Sequence, residues 1–180
     1  YTAYAIELTQ GIQDLSNSVP LVRGKTAWVR AYARRSSGEN SPLISARMRR
    51  IVNNTGVGSY VYPSNPGGKL APPSSPSRGQ LNDAFYFPVP ADWLNDASLQ
   101  VEVEINPSKV EQGCGVWCYV FWWRDADETN YADNAVRSPL LGLQNVPTMR
   151  LKLYNVVYSR NGVWYKATNT QLDEIESWLR

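Results

Sequence analysis

Leu99-Gln100-Val101-Glu102-Val103-Glu104-Ile105-Asn106 sets an aliphatic residue against a polar one at every step. Side chains alternate across a strand with a period of two, whereas a helix would mix these two sets on every face. The octet therefore predicts a strand with Leu99, Val101, Val103 and Ile105 on a core face. Ala27, Val29, Ala31 and Ala33 alternate in the same way with Trp28, Arg30, Tyr32 and Arg34, small apolar groups against amphipathic ones. Weaker alternation marks residues 5–10, 44–52, 84–89, 118–123 and 150–158, each bounded by Gly, Pro, Asn or Ser clusters.

Between these segments, residues 62–80 hold Pro63, Pro66, Gly67, Gly68, Pro72, Pro73 and Pro76, a composition expected to sustain neither a ladder nor a helix. It reads as a long surface loop. Pro90-Ala91-Asp92-Trp93-Leu94 predicts a single helical turn with Trp93 plugging one end of the core. Helical periodicity is confined to residues 170–180, where Leu172, Ile175 and Leu179 share a face and Asp173 and Glu174 sit near the start. That helix has no Gly or Pro stop, so the natural polypeptide is expected to continue beyond it. Many short strands with Pro- and Gly-rich turns predict an all-β fold, an immunoglobulin-like antiparallel β-sandwich, with a jelly roll as the alternative.

The chain has 180 residues, 43% of them apolar, enough to bury one sizeable core. Eighteen basic against sixteen acidic residues give a net charge of +2, too small to favour nucleic acid as a partner. No apolar run approaches the ~18 residues of a membrane-spanning helix. Histidine is absent altogether. This excludes Ser-His-Asp and Cys-His triads, HExxH zinc sites and imidazole bases within these residues. Enzymes built on carboxylates, lysine or tyrosine survive the exclusion, but a non-catalytic module is favoured. The first residue is Tyr1, and no basic and then apolar region follows it, so a leader is expected either to have been removed or never to have belonged to these residues.

Cys114 and Cys118 match neither a redox C-x-x-C nor half of a common zinc site. In an extended strand their Cα atoms would be ~13 Å apart, so a bridge needs a turn, which Gly113 and Gly115 can supply. A local disulfide, implying an oxidising compartment, and two packed thiols both remain open. In the aromatic run around Cys118, Trp117, Tyr119, Phe121 and Trp123 fall on one face of a strand and Cys118, Val120 and Trp122 on the other. One face is expected to be core or interdomain packing, and the other, if exposed, a platform for a sugar or peptide.

Asp125, Asp127, Glu128 and Asp133, with Asn130 and Asn134, form the densest oxygen-ligand cluster, a candidate for structural calcium although the spacing fails the EF-hand loop. The alternative is a solvated acidic turn. Residues 1–60 carry eight basic side chains against three acids, and residues 101–135 seven acids against two basic ones. These opposite patches are able to pair within the fold. Arg30, Arg34, Arg47 and Arg49 lie at strand spacing and are expected on a solvated face that an anionic glycan or acidic partner would suit. Asn53-Asn54-Thr55 is a formal glycosylation sequon.

The order of several short motifs resembles a known family. Ile6-Glu7-Leu8-Thr9-Gln10-Gly11-Ile12-Gln13, Val19-Pro20-Leu21-Val22-Arg23-Gly24-Lys25-Thr26 and Val29-Arg30-Ala31-Tyr32 are followed by Phe87-Pro88-Val89-Pro90-Ala91-Asp92-Trp93, by Asn106-Pro107 and by an acidic, Asn-rich stretch from Asp127 to Asn134. Together they resemble the immunoglobulin-like, CARDB-like domain that precedes a zinc metallopeptidase domain in large secreted bacterial proteins. The resemblance implies a sandwich over residues 1–148, with residues 149–180 beginning a following domain or forming a strand-plus-helix extension. It further implies a secreted or cell-surface location, a downstream domain of the same polypeptide as partner, a protein or glycan ligand, and no required cofactor. It transfers no catalytic residue. The alternative from another class is a carbohydrate-binding sandwich using Trp117, Tyr119, Trp122 and Trp123.

Overall fold

The computed structural model describes residues 1–36, 42–112, 120–147, 152 and 154–179. They fall into two compact units, Tyr1–Val146 and Pro147–Arg180. The first unit is built from β1 (Thr2–Thr9), β2 (Leu21–Val22), β3 (Trp28–Arg34), β4 (Ile44–Val52), β5 (Thr55–Val61), β6 (Lys69–Leu70) and β7 (Ala84–Pro88). After these come β8 (Ser98–Leu99), β9 (Val101–Ile105), β10 (Lys109–Gln112), β11 (Val120–Trp123), β12 (Ala135–Arg137) and β13 (Leu141–Gln144).

Two antiparallel sheets carry most of the unit, β1-β3-β7 and β12-β9-β4-β5, the second with β6 also paired to β4. A smaller sheet, β2-β13-β8, and the β10-β11 pair complete it. Register turns the sequence alternation into core rows. Ala31 of β3 stands between Ile6 and Phe85, and Val29 between Leu8 and Phe87. On the second sheet Ala46 faces Ile105, and Met48 faces Val103. All of these join one buried cluster with Trp93, which stands in the short 3₁₀ turn Trp93–Asn95. Each large aliphatic or aromatic member contributes about 1.5–3 kcal/mol by leaving water.

The opposite face of the second sheet carries charge. Arg47 pairs with Glu104 at 2.8 Å, and Glu102 accepts from Arg49 at 2.8 Å and from Arg137 at 2.6 Å. Of the arginines expected on an open basic face, Arg47 and Arg49 are thus bound to cross-strand acids. The opposite charges of the two sequence regions meet there.

The Pro-rich loop departs from its expected lack of structure. Lys69 and Leu70, the Pro-free dipeptide between Gly68 and Ala71, form β6 opposite Ser45 and Ile44, after a 3₁₀ turn at Pro66–Gly68. Burial of Leu70 in the core holds that ladder in place. Elsewhere the loop bonds to the first sheet, through Ser64 N–H to Tyr86 O and the Arg30 guanidinium to Arg78 O. Two asparagines seal that sheet's edges. Asn17 accepts from Leu8 N–H and donates to Ile6 O, while Asn65 accepts from Tyr86 N–H and donates to Ala84 O. Each amide supplies the bonds a further strand would make, which blunts an edge open to association.

β5 was not expected from the sequence. Asn53 and Asn54, with φ of 49° and 63°, make a two-residue turn that pairs Val52 with Thr55, so the sequon lies on a hairpin tip.

The second unit consists of β14 (Tyr158–Arg160), β15 (Val163–Tyr165) and α1 (Asn169–Leu179). Of the strand expected over residues 150–158, the described residues 152 and 154–157 are irregular and pairing begins at Tyr158, while residues 150, 151 and 153 lie outside the described residues. The Asn161-Gly162 turn, with φ of 52° and 77°, sets that register and overrides the apolar pattern before it. Thr168 and Gln171 bond reciprocally at the start of α1, Gln171 N–H to Thr168 Oγ1 and Thr168 N–H to Gln171 Oε1. This capping box fixes the helix start.

Candidate functional site

β9 is followed by Asn106, which is fully buried and adopts a left-handed φ of 44° that asparagine tolerates better than most other side chains. Its N–H donates to Ser45 O at 2.8 Å. Its Oδ1 accepts from the N–H groups of Asp125 and Ala126 at 3.0 and 3.1 Å, and its Nδ2 donates to Ala126 O and Glu128, each at 2.7 Å. Arg124 donates to its carbonyl at 2.6 Å. One amide therefore latches residues 124–128 onto the end of the sheet.

That latch delivers Asp125 to a cationic corner. Its Oδ1 accepts from Lys69 of β6 at 2.7 Å and from Lys109 of β10 at 2.6 Å, and its Oδ2 accepts from Ser45 N–H at 2.7 Å and from the Ser45 hydroxyl. The carboxylate is 6% exposed. Burial alone would raise its pKa, but the bonds from Lys109, Lys69 and Ser45 outweigh burial and hold it well below the usual carboxylate range. Lys69 and Lys109 stay about a third exposed, at 39% and 31%. They line a cavity of about 570 Å³ together with Ser45, Arg47, Tyr62 and Gly68. Tyr62 is 67% exposed.

A second cavity, about 400 Å³ and polar, is lined by Thr2, Asp127, Glu128, Asn130 and Asp133 among others. Glu128 accepts from Asn106, from Asn134 at 2.5 Å and from the Tyr1 amine at 2.6 Å. Asp133 accepts from the Thr2 hydroxyl at 2.9 Å through Oδ2, while its buried Oδ1 has no hydrogen-bond partner. Of the four acids named as calcium candidates, Asp127, Glu128 and Asp133 thus share one cavity and Asp125 belongs to the lysine pair. Among the described residues, no three His, Cys, Asp or Glu side chains are grouped to hold a metal ion.

A third charged cluster had no counterpart in the sequence reading. Glu7, 1% exposed, accepts from Tyr32 OH at 2.9 Å and from Arg78 of the Pro-rich loop, with Arg30 at 3.6 Å. Burial first, then the bond to Glu7 and its charge, push the Tyr32 phenol up to about 12. Burial likewise raises Tyr86, whose hydroxyl has no hydrogen-bond partner. The available signal was position: Glu7 lies between Ile6 and Leu8, and so opposite the core.

The remaining candidates lie on or near β11. Trp122 stands opposite Val110 and Trp123 opposite Lys109. Cys114, Trp117, Cys118 and Tyr119 lie outside the described residues. Among the described residues no helix is long and apolar enough to cross a membrane. No family model, curated protein or solved structure matches this chain.

Proposed function

We propose that residues 1–148 are an immunoglobulin-like β-sandwich serving as a non-catalytic accessory or adhesion domain of a secreted or cell-surface protein. The observation that carries this reading is the engagement of its buried acids. Glu7, Glu102 and Asp125 are each bound to two cationic side chains. A general acid or base must exchange its proton near the working pH, and the cationic partners of Glu102 and Asp125 hold both below their ordinary range, which suits them poorly to that. The two main sheets feed one core and turn charged residues outward, which agrees with face-to-face packing of antiparallel sheets. Residues 149–180 are the start of a following domain or a strand-plus-helix extension, and the motif order from Ile6 to Asn134 supports a metallopeptidase-like domain beyond them.

A binding screen of the chain against extracellular proteins and glycans, run beside peptide and glycoside hydrolysis assays, tests the proposal. Saturable binding without turnover is expected. Turnover by the chain itself, abolished by Asp125→Asn or Glu7→Gln, would overturn it.

A further inference from the structure

We propose that the cavity beside Asp125 binds the carboxylate of a uronate residue in an acidic glycan. The proposal rests on the domain being a binding module and names its ligand class.

Charge selects the ligand. Lys69, Lys109 and Arg47 face the cavity against Asp125 and Glu104, which leaves one net positive charge, the complement of a single carboxylate. Both ammonium groups bond the same oxygen, Asp125 Oδ1, so they are fixed close together before any ligand arrives. Each carries three donors and gives one to Asp125. A ligand carboxylate can span the pair, and donors already in position avoid the ordering cost of two long side chains.

Shape selects a sugar over an acidic peptide. A cavity of about 570 Å³ is of the size that takes small ligands. Tyr62 offers an exposed flat ring for the apolar face of a pyranose. An extended peptide would gain most of its affinity from a free strand edge. β4 leaves only Ala46 and Arg47 without a register partner along this wall, too short a stretch to add a strand, being paired to β9 on one side and to β6 and β5 on the other.

Calorimetric titration of the full chain with tetragalacturonate, and with neutral galactotetraose, tests the site. The uronate is expected to bind and to weaken with added salt, while the neutral sugar fails at the same concentrations. Lys69→Met and Lys109→Met should each weaken binding by about tenfold or more. Tyr62→Ala, at an exposed position that folding does not need, should weaken it roughly three- to tenfold. Uronate binding unchanged in the lysine and tyrosine variants, or matched by the neutral sugar, overturns the site while leaving a binding module. A poly-glutamate peptide that binds with the same lysine dependence, where the uronate does not, overturns the sugar in favour of a peptide. Failure of every acidic probe also overturns the site, and the broader binding screen then decides separately whether the domain binds anything.

Discussion

Asn106→Ala should be among the most damaging single substitutions in the first unit, and its cost can be worked from contacts. The variant loses four side-chain hydrogen bonds, two accepted from Asp125 and Ala126 N–H and two donated to Ala126 O and Glu128. At about 0.5–1.5 kcal/mol net for each, the bonds account for roughly 2–6 kcal/mol, with more wherever a buried group stays unpaired. Alanine at a φ of 44° adds about 1 kcal/mol of backbone strain. A total of about 5 kcal/mol is a large share of the ~5–15 kcal/mol that stabilises a typical domain. Asn106→Gly removes the same bonds without the steric strain, so it should be less damaging than alanine by about 1 kcal/mol. Urea unfolding followed by tryptophan fluorescence measures both, and hydrogen exchange should show the Asp125 and Ala126 amides opening first. A loss below about 1 kcal/mol for alanine, or a glycine variant worse than alanine, would refute the latch.

Two pH responses follow from the ion pairs. For Glu102, as for Asp125, burial pushes the pKa up but the bonds and charges of its cationic partners lower it overall. The stability both add is whole above their unfolded values near 4 and is lost as pH falls through the lower folded ones, so melting temperatures should drop below about pH 4 and drop less in Asp125→Asn/Glu102→Gln. Tyr32 behaves in the opposite sense. With its phenol raised to about 12, its contribution is whole below the unfolded value near 10 and fades as pH rises from there. Tyr32→Phe should cost about 1.5 kcal/mol at pH 7 and flatten the alkaline slope, and an unchanged slope would exclude Tyr32 as its source.

Much of the all-β architecture is legible in the alternation of residues 99–106 and 27–34, because a strand with one buried face must repeat every second residue. Trp93 is legible as a plug for a similar reason, a large apolar group in a tight turn between strands. The missed strands fail this test for physical reasons. β5 reads Thr-Gly-Val-Gly-Ser-Tyr-Val, with no fully buried residue and so no apolar period, and only the Asn-Asn turn before it announces a hairpin. β6 is two residues long, held by the burial of one leucine. Asn161-Gly162 and the Thr168–Gln171 capping box were readable signals that outrank the weak apolar pattern before them. In the acidic stretch, composition marks oxygen-rich residues but not their partners. Asp125 lies two residues from Asp127, yet Asn106 turns the chain so that Asp125 meets lysines from β6 and β10, which are distant in sequence.

The comparison between Glu7 and Asp125 explains why one buried acid is structural and the other sits at a candidate site. Both are nearly inaccessible carboxylates with two cations, and a count of ion pairs alone would rank them together. The difference is in the partners. Arg78 reaches Glu7 from the Pro-rich loop and also donates to Gln13 O, and Arg30 donates to Arg78 O, so that cluster ties a loop to the sheet and its cations are occupied by protein groups. Lys69 and Lys109 bond Asp125 with their tips while remaining exposed to a cavity. An arginine fork used on both sides locks a structure, whereas an ammonium with donors to spare can take a second anion. If so, Lys69→Arg should keep the charge yet weaken uronate binding, because a planar fork cannot share one carboxylate oxygen with Lys109 and still turn toward the cavity. Affinity preserved in Lys69→Arg would mean that charge alone, and not the geometry of the ammonium pair, makes the site.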